Sequence, residues 1–517
     1  MFRTVYFTTN RKWPFWLFWI ICSVIYAAVF TTIDFCDNPF SGIKGFLTLA
    51  MQYGVVAFSV SGVICLIAVN RYVFVLCFPV LIVLSSVLAY YRITMGVYIS
   101  PAVIELMRVN NMAMWGTVMS FKLVLTVLAA LFFSFAGVIY RFKYVEIKRS
   151  WMWLLLGIII ILIPTRLVGS FHSPVIARMP YCFYYSLMDY ISYRHDVSKE
   201  RNTFINVPVT VSHNAPDVVL VIGESLRSDH LSLNGYERLT TPRLQKDTAV
   251  VSYPFVTTEP CYTHTSVPHI VTRADSIHPD RKWEEQSFIT LFKKAGFKTF
   301  WISNQDDAST YVYFMNEADT LQRANVNMSM YNFGNKNLDL DILPLVKNDL
   351  RDKNSKSKLF VIHSIGSHWY YNTHYPDSLA IYKPEVNSRV LSDLSQEQLI
   401  NSYDNTILAT DDFLSKLIDL FRKRNAILIY ISDHGESLGE EGRFLHAVDA
   451  PELHIPACLI WYSYRFASNY PDKIRALKDN AGKKWSSDII FHTVLDAGTL
   501  STTVFDPNLS ILVISVH

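Results

Sequence analysis

The chain has 517 residues, 51% of them hydrophobic and only 18% charged, and its 47 basic against 44 acidic side chains leave a net charge of +3. So even a balance excludes the concentrated basic surface that nucleic-acid binding needs. The length calls for two or more domains, and the apolar fraction places part of the chain in lipid.

Residues 1–170 carry five long apolar runs, at 14–33, 46–69, 72–91, 122–140 and 151–165. Most reach the ~20 residues that span a hydrocarbon core. The last is short, and "RLVGS" extends it with Arg166 snorkelling. Five spans are therefore expected over 1–170. No small-residue cleavage site follows the first run, so it reads as an anchor rather than a removed signal. Lysine and arginine asymmetry sets the orientation. With the N-terminus inside, the cytoplasmic pieces hold Arg3, Arg11, Lys12, Arg71, Arg141, Lys143, Lys148 and Arg149. The outer loops hold Lys44, Arg92 and Arg108, with Lys122 at a boundary. Five crossings put everything after residue 170 outside the cytoplasm, which in a Gram-negative cell is the periplasm.

Residues 171–216 connect the two parts. "PYCFYYSLMDYISYRH" (180–195) is aromatic-rich and sparsely charged, and two readings stay open for it: a helix lying in the membrane interface, or a buried helix of the soluble part. The polar, proline-bearing stretch 196–217 reads as a linker. From 217 to 517 the texture is α/β. Strand-like runs at 218–225, 298–304, 359–368, 427–435 and 457–463 are separated by helix-like segments such as 287–296 and 398–424. That alternation predicts a mostly parallel sheet between helices, with ligands gathering beyond the carboxyl ends of its strands. Of seven cysteines, Cys36, Cys182, Cys261 and Cys458 would face an oxidising compartment, which allows one or two disulfides and demands none.

Chemistry-bearing residues collect at one sheet edge. Glu224 and Ser225 end the first strand, His368 follows the third, and Asp433 and His434 end the fourth within "ISDHGESLGEEGRFLH" (431–446). Carboxylates with imidazole suit zinc, with manganese the main competitor. Gly435 is expected to permit the sharp turn that lets adjacent Asp433 and His434 share one ion. Thr263, Thr265 and Ser266 precede an apolar segment where a helix could start. Spacing alone favours Thr265 or Ser266 as an ordinary N-cap over a nucleophile.

"VIGESLRSDHLSLNGYERLTTP", "CYTHTSVPHIVTRA", "HSIGSHWYYNTHYP" and "ISDHGESLGEEGRFLHAVDAPELHIPACLIW" occur in this order after the apolar runs. This pattern resembles the bacterial phosphoethanolamine transferases. These alkaline phosphatase/sulfatase-like membrane enzymes modify lipid A or other envelope glycans and include the mobile colistin-resistance proteins. The resemblance implies that Glu224, Asp433 and His434 hold one zinc ion, with room for a second. It makes Thr263, three residues before "SVP", the nucleophile and a contact of the metal. His368 and His446 would hold the phosphate, a second zinc or the leaving-group proton, and Glu436 would support the site from behind. Phosphatidylethanolamine would be the donor and lipid A or another glycan the acceptor, in a monomer of the inner membrane whose catalytic domain lies in the periplasm.

The chain departs from that pattern in the loop 92–120. Val109 and Ala113 stand where a threonine and a glutamate are expected near the ethanolamine, leaving Asn110, with Glu105 as a substitute, for substrate binding. Cys261 suggests a sulfatase-type nucleophile, but that signature needs proline or alanine two residues later and arginine four later. Thr263 and Thr265 stand there instead. The acceptor stays open. The alternatives are transfer of another head group such as phosphoglycerol, a silent membrane scaffold, and a simple hydrolase. His264, His269 and His454 are read as structural.

Overall fold

The structure, a computed structural model, describes residues 12–31, 42–95, 119–167, 181–197 and 206–514, with 99, 104, 201 and 204, apart from 306–307, 309, 326–335, 353–356, 389–390 and 447. Glu105 and Asn110 lie outside the described residues. The chain divides into two compact units, Met1–Val109 with Met119–Ser192, and Asn110–Val118 with Tyr193–His517.

The first unit is helical. Its elements are α1 (Phe15–Tyr26), α2 (Gly42–Val69), α3 (Arg71–Met95), α4 (Phe121–Tyr144), α5 (Ser150–Leu167) and most of α6 (Tyr181–Val197). Two segments, Arg71–Thr94 and Phe121–Tyr144, are long and apolar enough to cross a membrane. Phe15–Phe30, Tyr53–Val69 and Ser150–Leu162 are shorter apolar stretches. Phe132 and Phe133 on α4 are 71% and 69% exposed, an arrangement that apolar surroundings favour over water. Arg141, counted above as a cytoplasmic charge, is buried. Its guanidinium donates to the carbonyls of Ala68 (2.8 Å) and Val69 (3.0 Å), filling the open C-terminal acceptors of α2. The Tyr181 hydroxyl of α6 bonds to Ser59 of α2, while Phe183, Tyr184, Leu187, Met188 and Ile191 leave an apolar face exposed. Among the described residues all six cysteines are free thiols.

The second unit is built on a seven-stranded sheet. Its strands are β1 (Asp217–Gly223), β2 (Val250–Ser252), β3 (Lys298–Ser303), β4 (Thr320–Arg323), β5 (Lys358–His363), β6 (Ala426–Ser432) and β7 (Cys458–Tyr462), in spatial order β2-β7-β6-β1-β5-β3-β4. The pairs from β6 through β4 are parallel, and β7 is antiparallel to both β6 and β2. The run at 457–463 is thus a strand, but it runs against the parallel set. Strands β2 and β4 were not anticipated, because three or four residues carry too little periodicity. Central strands β1, β5 and β6 are buried along their whole length, as expected of strands covered on both faces.

Helices α7 (Thr263–Val271), α8 (Phe288–Lys294) and α10 (Ile489–Ala497) pack on one sheet face, against Val218, Leu220 and Ile222 of β1 and Ile427, Ile429 and Ile431 of β6. Between α8 and α10 in the chain, α9 (Gln396–Phe421) opens with a capping box of Ser395 and Gln398. It brings Phe421 edge-on to Phe360 of β5, at 5.6 Å between ring centres. Register then levels the strand ends. Ser432 pairs with Gly223, Ile222 with His363, and Ser303 with His363. The residues that follow, Glu224, Asn304, Ser364 and Asp433, leave the sheet along one edge.

Candidate metal centre

Glu224, Asp433 and His434 are fully buried at that edge. Asp433 Oδ1 accepts the backbone N–H groups of Ser225 (3.1 Å) and His434 (2.8 Å), while Oδ2 has no hydrogen-bond partner. His434 Nδ1 donates to the Gly435 carbonyl at 2.7 Å. That bond assigns the tautomer and leaves a lone pair on Nε2. Nε2 lies 3.5 Å from Glu224 Oε1 and 3.3 Å from Asp433 Oδ2. Three electron-pair donors therefore converge within 4.8 Å in a place closed to solvent. Buried donors facing one another repel unless a cation lies between them. Two carboxylates and an imidazole fit zinc in kind, and the orphaned Asp433 Oδ2 is the atom such an ion would satisfy.

The charges respond to this crowding. Burial, and then the charge of Glu224, push the Asp433 carboxyl well above the usual carboxylate range. Burial would also raise Glu224, but when His434, His368 and His446 are protonated their charge outweighs it and holds that carboxyl at about 2.

Thr263 opens α7, and its Oγ1 donates to Glu224 Oε2 at 3.1 Å and lies 3.4 Å from His434 Nε2. The alternative capping reading is not realised. The cap position is Tyr262, and Thr265 and Ser266 donate to the carbonyls of Tyr262 and Pro260. A second convergent group, His434, Glu436 and His446, adjoins the first. His446 Nδ1 is 3.2 Å from Glu436 Oε2, the Tyr371 hydroxyl donates to Glu436 Oε1 at 3.2 Å, and the His434 and His446 ring centres are 4.7 Å apart. His368 is buried beyond β5 with Nδ1 turned to the Trp369 carbonyl. Burial lowers its pKa from the usual 6.5 against the opposing charge of Glu224.

Gly435 serves the site by close approach rather than by unusual backbone angles. A Cβ there would lie 2.1 Å from the Glu452 carbonyl oxygen. Ser225, next to Glu224, is left-handed at φ 58°, and its carbonyl accepts the Tyr403 hydroxyl at 2.6 Å. Gln305 escaped the sequence reading. Its Nε2 donates to Glu224 Oε2 and to the Ser364 carbonyl, both at 2.8 Å. Its one signal was position, just after strand β3 at the ligand-bearing edge. The Cys261 thiol is pushed up to about 12 by burial and then by Asp449, which disfavours the thiolate.

The other histidines hold the frame. His269 Nε2 meets Asp488 Oδ1 at 2.8 Å, and His264 stacks on Tyr311. His454 Nδ1 bonds the Thr258 carbonyl at 2.7 Å and Nε2 meets Asp449 at 2.5 Å. Burial lowers the His454 pKa, but these two partners outweigh it and raise it above 6.5. A raised folded pKa stabilises fully below the unfolded value and loses that stabilisation as pH rises through the folded one. His454→Asn should therefore cost about 0.5–1 kcal/mol at pH 6 and progressively less above pH 7. Unfolding of both proteins across that range measures it, and a pH-independent difference would contradict this assignment.

The profile of the Sulfatase family matches residues 216–499. The chain is 32% identical over 305 residues to the phosphoethanolamine transferase EptA of Salmonella typhimurium, covering 56% of this chain and 54% of that protein. It thus spans about half the length of the curated relatives it matches. Its fold is similar to that of the integral membrane lipooligosaccharide phosphoethanolamine transferase A of Neisseria meningitidis (TM-score 0.78, 22% identity, 96% of this chain and 98% of that one). The α/β unit is similar to the periplasmic domain of EptC from Escherichia coli in complex with Zn (TM-score 0.54, 26% identity, 59% of this chain and 89% of that one).

Proposed function

The chain belongs to the sulfatase family, and on that premise we propose that it transfers phosphoethanolamine from phosphatidylethanolamine to lipid A or another envelope glycan, through a covalent intermediate on Thr263. The observation that carries this reading is the Thr263 hydroxyl held against three convergent, buried ligand atoms. Glu224, Asp433 and His434, with Thr263 Oγ1, would hold one zinc ion, and Glu436 and His446 offer donors for a second. The Zn complex of the similar EptC domain supports that choice of metal. Bound there, zinc supplies positive charge that lowers the pKa of the Thr263 hydroxyl.

Thr263 Oγ1 then attacks the donor phosphorus while the bond from phosphorus to the diacylglycerol oxygen breaks. Glu224 Oε2, already the acceptor of the hydroxyl hydrogen, orients the hydroxyl, whose proton passes to solvent, and His446 or His368 protonates the departing oxygen. Thr263 stands at the N-terminus of α7, where the helix dipole would favour the negative phosphoryl oxygens. An acceptor hydroxyl next attacks phosphorus and gives its proton to the histidine that protonated the first leaving group. An acceptor phosphate oxygen attacks as the anion, and that histidine recovers its proton from solvent. In either case the bond from phosphorus to Thr263 Oγ1 breaks, and Oγ1 regains a proton from solvent. Asn110, with Glu105, would meet the ethanolamine.

Five spans with the N-terminus inside would hold the second unit in the periplasm, as a monomer beside two lipid-phase substrates, and confinement to the membrane plane supplies proximity. The test is to incubate the full-length protein in detergent with phosphatidylethanolamine alone and take intact and peptide masses. A phosphoethanolamine adduct on the Thr263 peptide is expected, with release of diacylglycerol. An adduct formed only from phosphatidylglycerol would replace the donor. No adduct on zinc-loaded protein would overturn the covalent route.

A further inference from the structure

We propose that Asp339 is a positioning residue that sets the metal-ligand geometry of Glu224 without touching it. The inference rests on the cation reading of the site. Asp339 opens a short turn before the helix Leu343–Asp349 and is buried. Its carboxylate gathers two separate loops. Oδ1 accepts Asn304 Nδ2 at 2.9 Å and the backbone N–H of Ile365 at 2.8 Å, and Oδ2 accepts the N–H of Gly366 at 3.0 Å. Both loops bear on Glu224 directly.

Next to Asn304, Gln305 bonds Glu224 Oε2 and the Ser364 carbonyl. Next to Gly366, the Ser367 N–H donates to the Glu224 carbonyl at 3.0 Å. Gly366 itself, at φ 49°, lies so close that a Cβ would stand 2.8 Å from the Glu224 carbonyl oxygen and 3.0 Å from its nitrogen. Asp339 thus clamps the loop that fixes the Glu224 backbone to the loop that fixes its carboxylate. The main-chain carbonyls of His363 and Ser364 also tie the loops together, by accepting the Asn304 N–H and Gln305 Nε2, but Asp339 is the side chain that gathers donors from both. A carboxylate is suited to this, because three donors converge on it and asparagine would turn an N–H toward one of them.

Outer partners of metal ligands typically govern affinity by ~10–100-fold, and Asp339→Asn should weaken zinc binding by that factor. The measurement is competition of the full-length protein in detergent against a chromophoric zinc chelator, with thermal unfolding of the metal-free protein alongside. A merely structural role would lower the unfolding temperature and leave zinc affinity unchanged. Asn304→Ala removes one donor and spares the carboxylate, and a loss of ~3–10-fold is expected, below the range for losing a whole outer partner. If Asp339→Asn does not fold, this second variant decides by the same criterion. Zinc affinity within twofold of the parent in the folded variants would overturn the positioning role. A parent protein that binds no zinc would instead overturn the cation reading on which it rests.

Discussion

On the proposed function, Thr263→Ala should abolish the phosphoethanolamine adduct and lower transfer by at least ~10³-fold, while the second unit keeps its fold. The size follows from the position of Oγ1, which is the hydroxyl within hydrogen-bonding distance of both Glu224 and His434. The neighbouring hydroxyls are committed elsewhere, Thr265 to Tyr262 and Ser266 to Pro260, so neither replaces it. The cost to stability is small. Glu224 Oε2 keeps the Gln305 donor, and losing one hydrogen bond is worth about 1 kcal/mol. Thr263→Ser keeps the oxygen and should keep the adduct. Transfer is read by product mass and folding by thermal unfolding. An alanine variant that still forms the adduct would reassign the nucleophile.

Asp433→Asn is expected to give the second large effect, the loss of metal binding at the proposed site. Chelation of a saturated metal removes about 4 kcal/mol from a site loaded at a thousand times its dissociation constant, so the parent should melt at a markedly lower temperature after zinc is stripped. The asparagine variant should show no such difference. It also should be at least as stable as the metal-free parent. Its Oδ1 still accepts the Ser225 and His434 N–H groups, and a neutral amide removes the negative charge that burial and Glu224 oppose in the metal-free site. Melting curves with and without chelator test both statements. A variant as responsive to zinc as the parent would remove Asp433 from the ligand set.

Much of this architecture was legible along the chain, because its signals are local. Long apolar runs mark helices, and β1, β5 and β6 announce themselves as unbroken apolar strands ending in polar residues. Glu224, Thr263, Asp433 and His434 were candidates by residue type and by place after a strand or before a helix. Asp433 and His434 do lie together at the strand end, but Gly435 contributes through a different property than the expected turn. Its need for hydrogen in place of a side chain comes from Glu452, seventeen residues away and invisible to local turn chemistry. Arg141 looked like one more cytoplasmic charge, and only the packing of α4 against the end of α2 shows it as a cap.

The sequence by itself determined the segregation into an apolar helical part and an α/β part, and the residue types at the strand ends, since both are set by composition and short-range periodicity. The tertiary structure decided what those residues can do. Register brought Gly223 level with Ser432, so two carboxylates from segments about two hundred residues apart face one imidazole. The Nδ1 bond to Gly435 turned the Nε2 of that imidazole toward the carboxylates, and the loops held by Asp339 put Gln305 and Gly366 against Glu224. Each of these depends on distance in space, which a single chain read in order does not carry.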